Sequence, residues 1–246
     1  MKNDFFQKTY AATFIGISIL LAFFSNAAAQ EEVVQTWYGQ PVSVPASQII
    51  NGDYFAYGPL VEVSGTVNGD VYAVGGQILI DGQVNGDVLI AGGQVTISGS
   101  VSQDARVAGG QVSFSGTIGR NLTVAAGNVE LAPSAVVRGG LVGAGGSIHV
   151  AAPLGRGIKV AAGSLILSNR VPGNVYAAVQ SLRLTSRADV QGDINYYSHR
   201  EASVDSGAKL KGKLTRSIPP DLPRLGREKV LAAMAGWGLF MIAVSF

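Results

Sequence analysis

From Ile50 onward the chain repeats itself about every 17 residues, and this periodicity limits its fold more than any other feature. Successive units begin INGD, VNGD, VNGD and VSQD, and the spacing grows to 18, 19 and 20 residues in later units. Self-similarity at a period of this length is typical of solenoid proteins, in which each unit packs only against its neighbours. The sequence therefore predicts a stack of about nine units.

Each unit places apolar residues at the same positions. Two apolar residues flank a variable one near the end of the unit, as in Ile78-Leu79-Ile80, and an earlier triplet such as Val71-Tyr72-Ala73 has the same form. This alternation predicts β-strands with one buried face. The first position of every unit is also apolar, and its residues are Ile50, Val67, Val84, Val101, Ile118, Val136, Leu154, Val171, Val190 and Leu210.

Glycine-rich clusters separate the apolar triplets and account for most of the 33 glycines. We interpret Asn-Gly-Asp, Gly-Gly and Ser-Gly as corners, because glycine reaches positive φ at little cost. Helical repeats are excluded, since no unit combines a long glycine-free stretch with a 3.6-residue apolar period. The sequence thus predicts an all-β fold, a three-sided parallel β-helix of short strands with rungs about 4.8 Å apart.

Composition excludes several other classes of protein. With 47% hydrophobic and 14% charged residues, the chain is too apolar to be disordered. Because it has no cysteine, disulfide frameworks and thiol chemistry are excluded. A formal net charge of +2 gives no reason to expect a nucleic-acid partner.

The two ends of the chain differ from the repeat. Residues 1–29 combine a basic start, an apolar run and small residues, which predicts a signal peptide; an uncleaved anchor is the alternative. Residues 30–49 form a leader or cap, 50–213 the repeat domain, and 214–229 a Pro-rich basic linker. Residues 230–246 lack charge and predict the start of a transmembrane helix, or alternatively a helix packed on a soluble core. We expect an exported protein of the cell membrane, with the repeat on the extracytoplasmic side.

A basic cluster before the last apolar run conflicts with this topology. The positive-inside tendency would place these residues in the cytoplasm, whereas the signal segment would place them outside. On the outer side they could lie on anionic lipid headgroups. The cluster comprises Lys209, Lys211, Lys213, Arg216, Arg224, Arg227 and Lys229.

The motif V-x-G-D-V followed by G-G-Q-V-x-I-x-G, clearest from Val67 to Thr117, resembles the bactofilin family of polymer-forming cytoskeletal proteins. The resemblance covers roughly residues 50–213. It implies a right-handed, three-sided β-helix that polymerises end to end without nucleotide and has no catalytic residues. Family members are usually compact and lie on the cytoplasmic face, whereas this chain carries an export signal and a C-terminal apolar segment.

Stacking the units turns each sequence position into a column along the rod, and three polar columns are candidate sites. The fourth-position carboxylates and amides either cap their own glycine turns, the interpretation we favour, or form a cation-binding edge. They are Asp53, Asp70, Asp87, Asp104, Asn121, Asn174 and Asp193. A second column predicts amides hydrogen-bonded along the rod and consists of Gln77, Gln94, Gln111 and Asn128. The third is either a solvated corner or a contact for an anionic surface, and consists of Arg120, Arg138 and Arg156.

An enzyme is not expected. Left-handed β-helix acyltransferases keep a six-residue apolar repeat and use a histidine base, whereas this chain has five-residue spacings. His149 and His199 lie on different predicted strands, and His149 takes an outward position between Ile148 and Val150. The corners are too short to build a pocket, so we expect no catalytic, metal or cofactor site.

The open ends of a β-helix offer unpaired backbone groups, and these suggest a function. The first unit is aromatic, and Pro41 and Pro45 limit any strand that the leader could add to cover it. We expect a scaffold that associates with itself, with the membrane and with a cell-envelope component. The alternative is an adhesin-like or sensory ectodomain coupled to downstream membrane helices. The candidate self-association surface consists of Ile50, Tyr54, Phe55 and Tyr57.

Overall fold

The computed structural model describes residues 33–36 and 41–219, and every regular element in these ranges is a β-strand. Their bounds, numbered in chain order, are β1 (Val33–Thr36), β2 (Val42–Val44), β3 (Ile49–Ile50), β4 (Tyr54–Val63), β5 (Thr66–Val67), β6 (Val71–Ile80), β7 (Gln83–Val84), β8 (Val88–Ile97), β9 (Ser100–Val101), β10 (Ala105–Phe114), β11 (Thr117–Ile118), β12 (Leu122–Leu131), β13 (Val136–Val137), β14 (Leu141–Val150), β15 (Ile158–Leu167), β16 (Arg170–Val171), β17 (Val175–Leu184), β18 (Asp189–Val190), β19 (Ile194–Tyr197), β20 (Ser203–Val204), β21 (Lys209–Leu210) and β22 (Leu214–Ser217).

The strands stack as an all-β parallel solenoid of about ten turns, which confirms the predicted class of fold. The ten-residue strands follow one another in one sheet, in the order β4-β6-β8-β10-β12-β14-β15-β17, and every pairing is parallel. Nine of the two-residue strands form two further sheets, β3-β5-β7-β9-β11-β13 and β16-β18-β21, whereas β20 pairs with β17 in the first sheet. Each turn of the solenoid, or rung, therefore contributes one long strand, and most rungs add a short one.

The predicted apolar triplets form the core. In β6 the outer residues of Val71-Tyr72-Ala73 and Ile78-Leu79-Ile80 are buried, while the central residues are half-buried. The same pattern recurs in the other long strands, so that the buried residues form one continuous cluster. A single rung could not bury this face, because most of its apolar contacts are with the rungs on either side.

The register differs from the sequence expectation at one rung. Ile118 pairs with Val137, not with Val136, and Val137 in turn bridges to Leu154. Val137 is 1% exposed whereas Val136 is 38% exposed. The turn at Pro133 and Ser134 lengthens this rung to 19 residues, as the Glu130–His149 spacing shows, and moves the buried position by one. The prediction that Val136 occupies the buried column is therefore wrong, and Val137 takes this position.

The glycines serve close approach more than unusual dihedral angles, which corrects our interpretation of them as positive-φ corners. Among the described residues only Gly52 and Gly207 have positive φ, at 138° and 101°. Four of the five Gly-Gly pairs lie inside the long strands, and a Cβ at Gly93 or Gly110 would lie 2.8 Å from the glycine carbonyl oxygen of the preceding rung. The backbone of the preceding rung thus leaves no room for a side chain at Gly93 or Gly110.

The leader adds strands to the first rung despite its prolines. Residues of β1 pair with Tyr54–Tyr57, and residues of β2 pair with Val61–Val63. At the other end the fold continues to Ser217, four residues into the segment assigned to the linker. The predicted signal peptide, 1–29, and the predicted transmembrane start, 230–246, lie outside the described residues. Within 33–36 and 41–219, no helix is long and apolar enough to cross a membrane.

Candidate functional site

The fourth-position column joins successive rungs through backbone amides. The Asp70 N–H donates to Asp53 Oδ1 at 2.8 Å, the Asp87 N–H to Asp70 Oδ1 at 2.7 Å, and the Asp104 N–H to Asp87 Oδ1 at 2.8 Å. The Asn121 N–H continues the series to Asp104 Oδ1 at 2.8 Å. These side chains accept from the next rung instead of capping their own turns, so the favoured interpretation of this column is corrected. We call the series the aspartate ladder.

The second carboxylate oxygens of the ladder are also occupied. Arg106 Nη1 lies 2.9 Å from Asp87 Oδ2, and Arg106 Nη2 lies 3.6 Å from Asp104 Oδ2. The Tyr72 hydroxyl donates to Asp70 Oδ2 at 3.2 Å. Burial raises the pKa of Tyr72 to about 12, and the neighbouring Asp70 charge adds to the effect. Arg106 thus offsets the charges of Asp87 and Asp104, and the Tyr72 hydroxyl satisfies the second oxygen of Asp70.

A cation-binding edge requires several ligands around one point. In the part of the chain that the structure describes, no group of three or more His, Cys, Asp or Glu side chains could hold a metal ion. The ladder oxygens are instead directed at N–H groups, one per rung. This arrangement stabilises the stacking of rungs, because each carboxylate holds a backbone donor that would otherwise lack a partner.

Amide stacking occurs, but in a different column from the one predicted. Between described residues no hydrogen bond joins the predicted amides Gln77, Gln94, Gln111 and Asn128, and all four are exposed. At the second position, Asn68 Nδ2 donates to Asn51 Oδ1 at 2.6 Å, and Asn85 Nδ2 donates to Asn68 Oδ1 at 2.7 Å. The recurring V-N-G-D motif carried this signal, since it places an asparagine in successive units.

The three predicted arginines come together, although not in a single column. The register aligns Arg120, Gly139 and Arg156 in one column and places Arg138 in the adjacent column. These residues line a polar groove of about 310 Å³, together with Gly119, Asn121 and Asp104. We call it the arginine groove. All three guanidinium groups are exposed, and Arg120 donates to Gln103 Oε1 at 3.1 Å.

His149 connects three rungs and is not simply a solvated side chain. Its Nδ1 lies 3.0 Å from Glu130 Oε2 and its Nε2 lies 3.0 Å from Ser168 Oγ. This connectivity resembles that of an acyl-transfer triad, in which a base contacts both a nucleophile and a carboxylate. However, Ser168 is only 3% exposed and does not line the arginine groove. We interpret the three residues as a strap between rungs.

The candidate self-association residues divide into two groups. Ile50 and Tyr54 lie in the core, at 5% and 0% exposure, and the Tyr54 hydroxyl is buried without a hydrogen-bond partner. Phe55 stacks on Tyr72 with ring centroids 4.7 Å apart, and Tyr57 is 55% exposed. An accessible part of this surface is therefore the outward face of the first rungs, while its other residues are packing groups.

No family model, no curated protein and no solved structure matches this chain. The pairing of the strands by itself defines the class, a parallel β-solenoid. The functional conclusion consequently depends on the surfaces and ends of the solenoid.

Proposed function

We propose that the chain is a non-enzymatic structural scaffold, a bactofilin-like polymer-forming domain that assembles through the ends or faces of its solenoid. In this proposal the rungs form a three-sided, right-handed helix, as the resemblance implies. Two buried triplets on either side of the central glycines of each long strand supply two of the three sides. The protein is exported and held at the membrane by its terminal apolar segments.

The observation that carries the proposal is the state of the two ends. Among the described residues, β1 and β2 at the N-terminal end pair with β4 alone, and β22 at the C-terminal end pairs with β19 alone. All four residues of β22 are exposed, and the following Ile218 is 68% exposed. Strands with one free edge can pair with a further chain, which favours end-to-end contact.

Charge supports association between copies. Residues 41–104 contain six carboxylates and no lysine or arginine. Residues 105–219 contain 13 lysines and arginines and five carboxylates, a formal net charge of +8. Unlike charges therefore meet when the first rungs of one copy approach the last rungs of another, and such attraction weakens with added salt.

The proposal is tested by measuring the assembly state of the full chain in an uncharged detergent, with sedimentation velocity and electron microscopy. Leu214→Asp with Ile218→Asp places negative charge on the basic last rungs, and Val74→Asp is the control, because Val74 is 52% exposed on the side of the solenoid. We expect filaments that the end variant abolishes and the control retains. A monomer at every concentration and ionic strength would overturn the proposal.

Protease accessibility of the repeat in intact cells tests the location. Export predicts digestion by an added protease, and full protection of the repeat in intact cells with digestion after lysis would contradict it. The same measurement decides which side of the membrane the basic cluster occupies.

A further inference from the structure

The acidic residue that lines the arginine groove, Asp104, does not pair with the arginines of the groove. Within the described residues, no carboxylate lies within ion-pair distance of Arg120, Arg138 or Arg156. The nearest acidic residue of the groove, Asp104, already accepts from the Asn121 N–H and faces Arg106. Three cations on successive rungs repel one another by about 1 kcal/mol per pair at contact distances in water, and by more near a protein surface.

The arginines alternate with glycines, and this alternation opens the groove. Arg138 lies between Gly119 and Gly155 on the neighbouring rungs, and Gly139 lies between Arg120 and Arg156. A Cβ at Gly139 or Gly155 would collide with the backbone carbonyl of the arginine on the preceding rung. Close stacking therefore requires the glycines, and their missing side chains leave the guanidinium groups accessible from the groove.

We propose that the arginine groove binds a linear polyanion, a polymer that carries carboxylates or phosphates along its length. Guanidinium groups pair with these oxyanions in a bidentate manner. Rungs are about 4.8 Å apart, so the three arginines span roughly 10 Å along the rod. A ligand that satisfies them needs two or more oxyanions over that distance, which a single phosphate does not offer.

The shape of the groove favours a chain over a membrane surface. Its lining comes from the corner residues of four successive rungs and runs along the solenoid axis. A linear polymer can follow such a groove, whereas a planar headgroup layer contacts only its rim. The aspartate ladder of a second copy is a poorer partner, because both oxygens of Asp70 and of Asp87 are already bonded to N–H groups, Tyr72 or Arg106.

The test measures binding of the full chain, in uncharged detergent, to oligogalacturonate, to polyphosphate, to inorganic phosphate and to phosphatidylglycerol vesicles. The variant is Arg138→Gln with Arg156→Gln. The control is Arg170→Gln with Arg187→Gln, which removes the same charge from exposed arginines that do not line the groove. Circular dichroism and thermal unfolding establish that both variants fold.

For one of the two polymers we expect micromolar binding that the groove variant weakens about tenfold or more, while the control changes it less than twofold. The slope of log Kd against log salt should fall by about two in the groove variant alone, one per lost contact. Comparing the affinity for oligogalacturonate with the affinity for polyphosphate shows whether the groove prefers carboxylates or phosphates. Equal weakening by both variants, binding to vesicles alone, or no polymer binding would each overturn the proposal.

Discussion

Substitution of Asp87 can test whether the aspartate ladder stabilises the stacking of the rungs. Asp87→Ala removes the acceptor of the Asp104 N–H, a bond of 2.8 Å, and the 2.9 Å contact with Arg106. A backbone donor left without its acceptor costs about 1–3 kcal/mol. The ion pair, with Asp87 30% exposed, adds about 0.5–1 kcal/mol. The expected loss in the free energy of unfolding is therefore about 1.5–4 kcal/mol.

Asp87→Asn is the matched control, because it keeps the oxygen that accepts from Asp104 and removes only the charge. Asn174 fills the same position in the native chain and accepts from the Asp193 N–H at 2.9 Å. We expect Asp87→Asn to cost about 1 kcal/mol or less. Urea unfolding followed by circular dichroism gives both values, and hydrogen exchange reports the Asp104 amide. Equal losses for the two variants, or less than about 1 kcal/mol for Asp87→Ala, would refute the role of the acceptor.

Four further substitutions or reactions follow from the packing. Val137→Ala should cost about 2 kcal/mol in thermal or urea unfolding and Val136→Ala almost nothing, because only Val137 is buried; the reverse order would restore the sequence-based register. Gly110→Ala should destabilise the protein by about 1–3 kcal/mol, since its Cβ would lie 2.8 Å from a carbonyl oxygen of the preceding rung, and an unchanged midpoint would contradict this. Tyr54→Phe should stabilise the protein by about 1 kcal/mol at neutral pH, because it removes a buried hydroxyl without a partner. Since burial raises the pKa of Tyr54 to about 12, the native protein should lose stability as the pH rises from about 10 to 12, and the variant should lose less. A fluorophosphonate probe should leave Ser168 unlabelled in mass spectrometry, and labelling that requires His149 would reveal a catalytic serine.

The repeat allowed the class of fold and much of the core to be predicted. A buried position such as Val61 or Ile78 recurs in every rung, and stacking forces each occurrence into the same environment. The error at Val136 arose because two adjacent valines fit an apolar column equally well. Only the packing of the turn before them decides which one points inward.

The contacts of the candidate sites were harder to predict from the sequence than the core. Asp70 could be recognised as a column member, but its partner is an amide 17 residues further along, and that depends on the register and on the side-chain direction. Glycine poses a similar problem, because Gly93 suits both a turn and a close approach. The strap of Glu130, His149 and Ser168 combines residues from two columns, and its histidine has no counterpart in the neighbouring rungs of its column, so the repeat gave no signal for it.

Strands β6, β8 and β10 have the same length and the same register, and this regularity bears on how the rod can change in length. Each is ten residues long and pairs with the next at a constant offset of 17 residues. Deleting or duplicating one 17-residue rung leaves the remaining strands in the same register and keeps both ends of the protein. The rod can therefore be shortened or extended in whole steps by recombination between similar stretches of its gene. The length of the rod therefore changes in units of one rung, about 4.8 Å each.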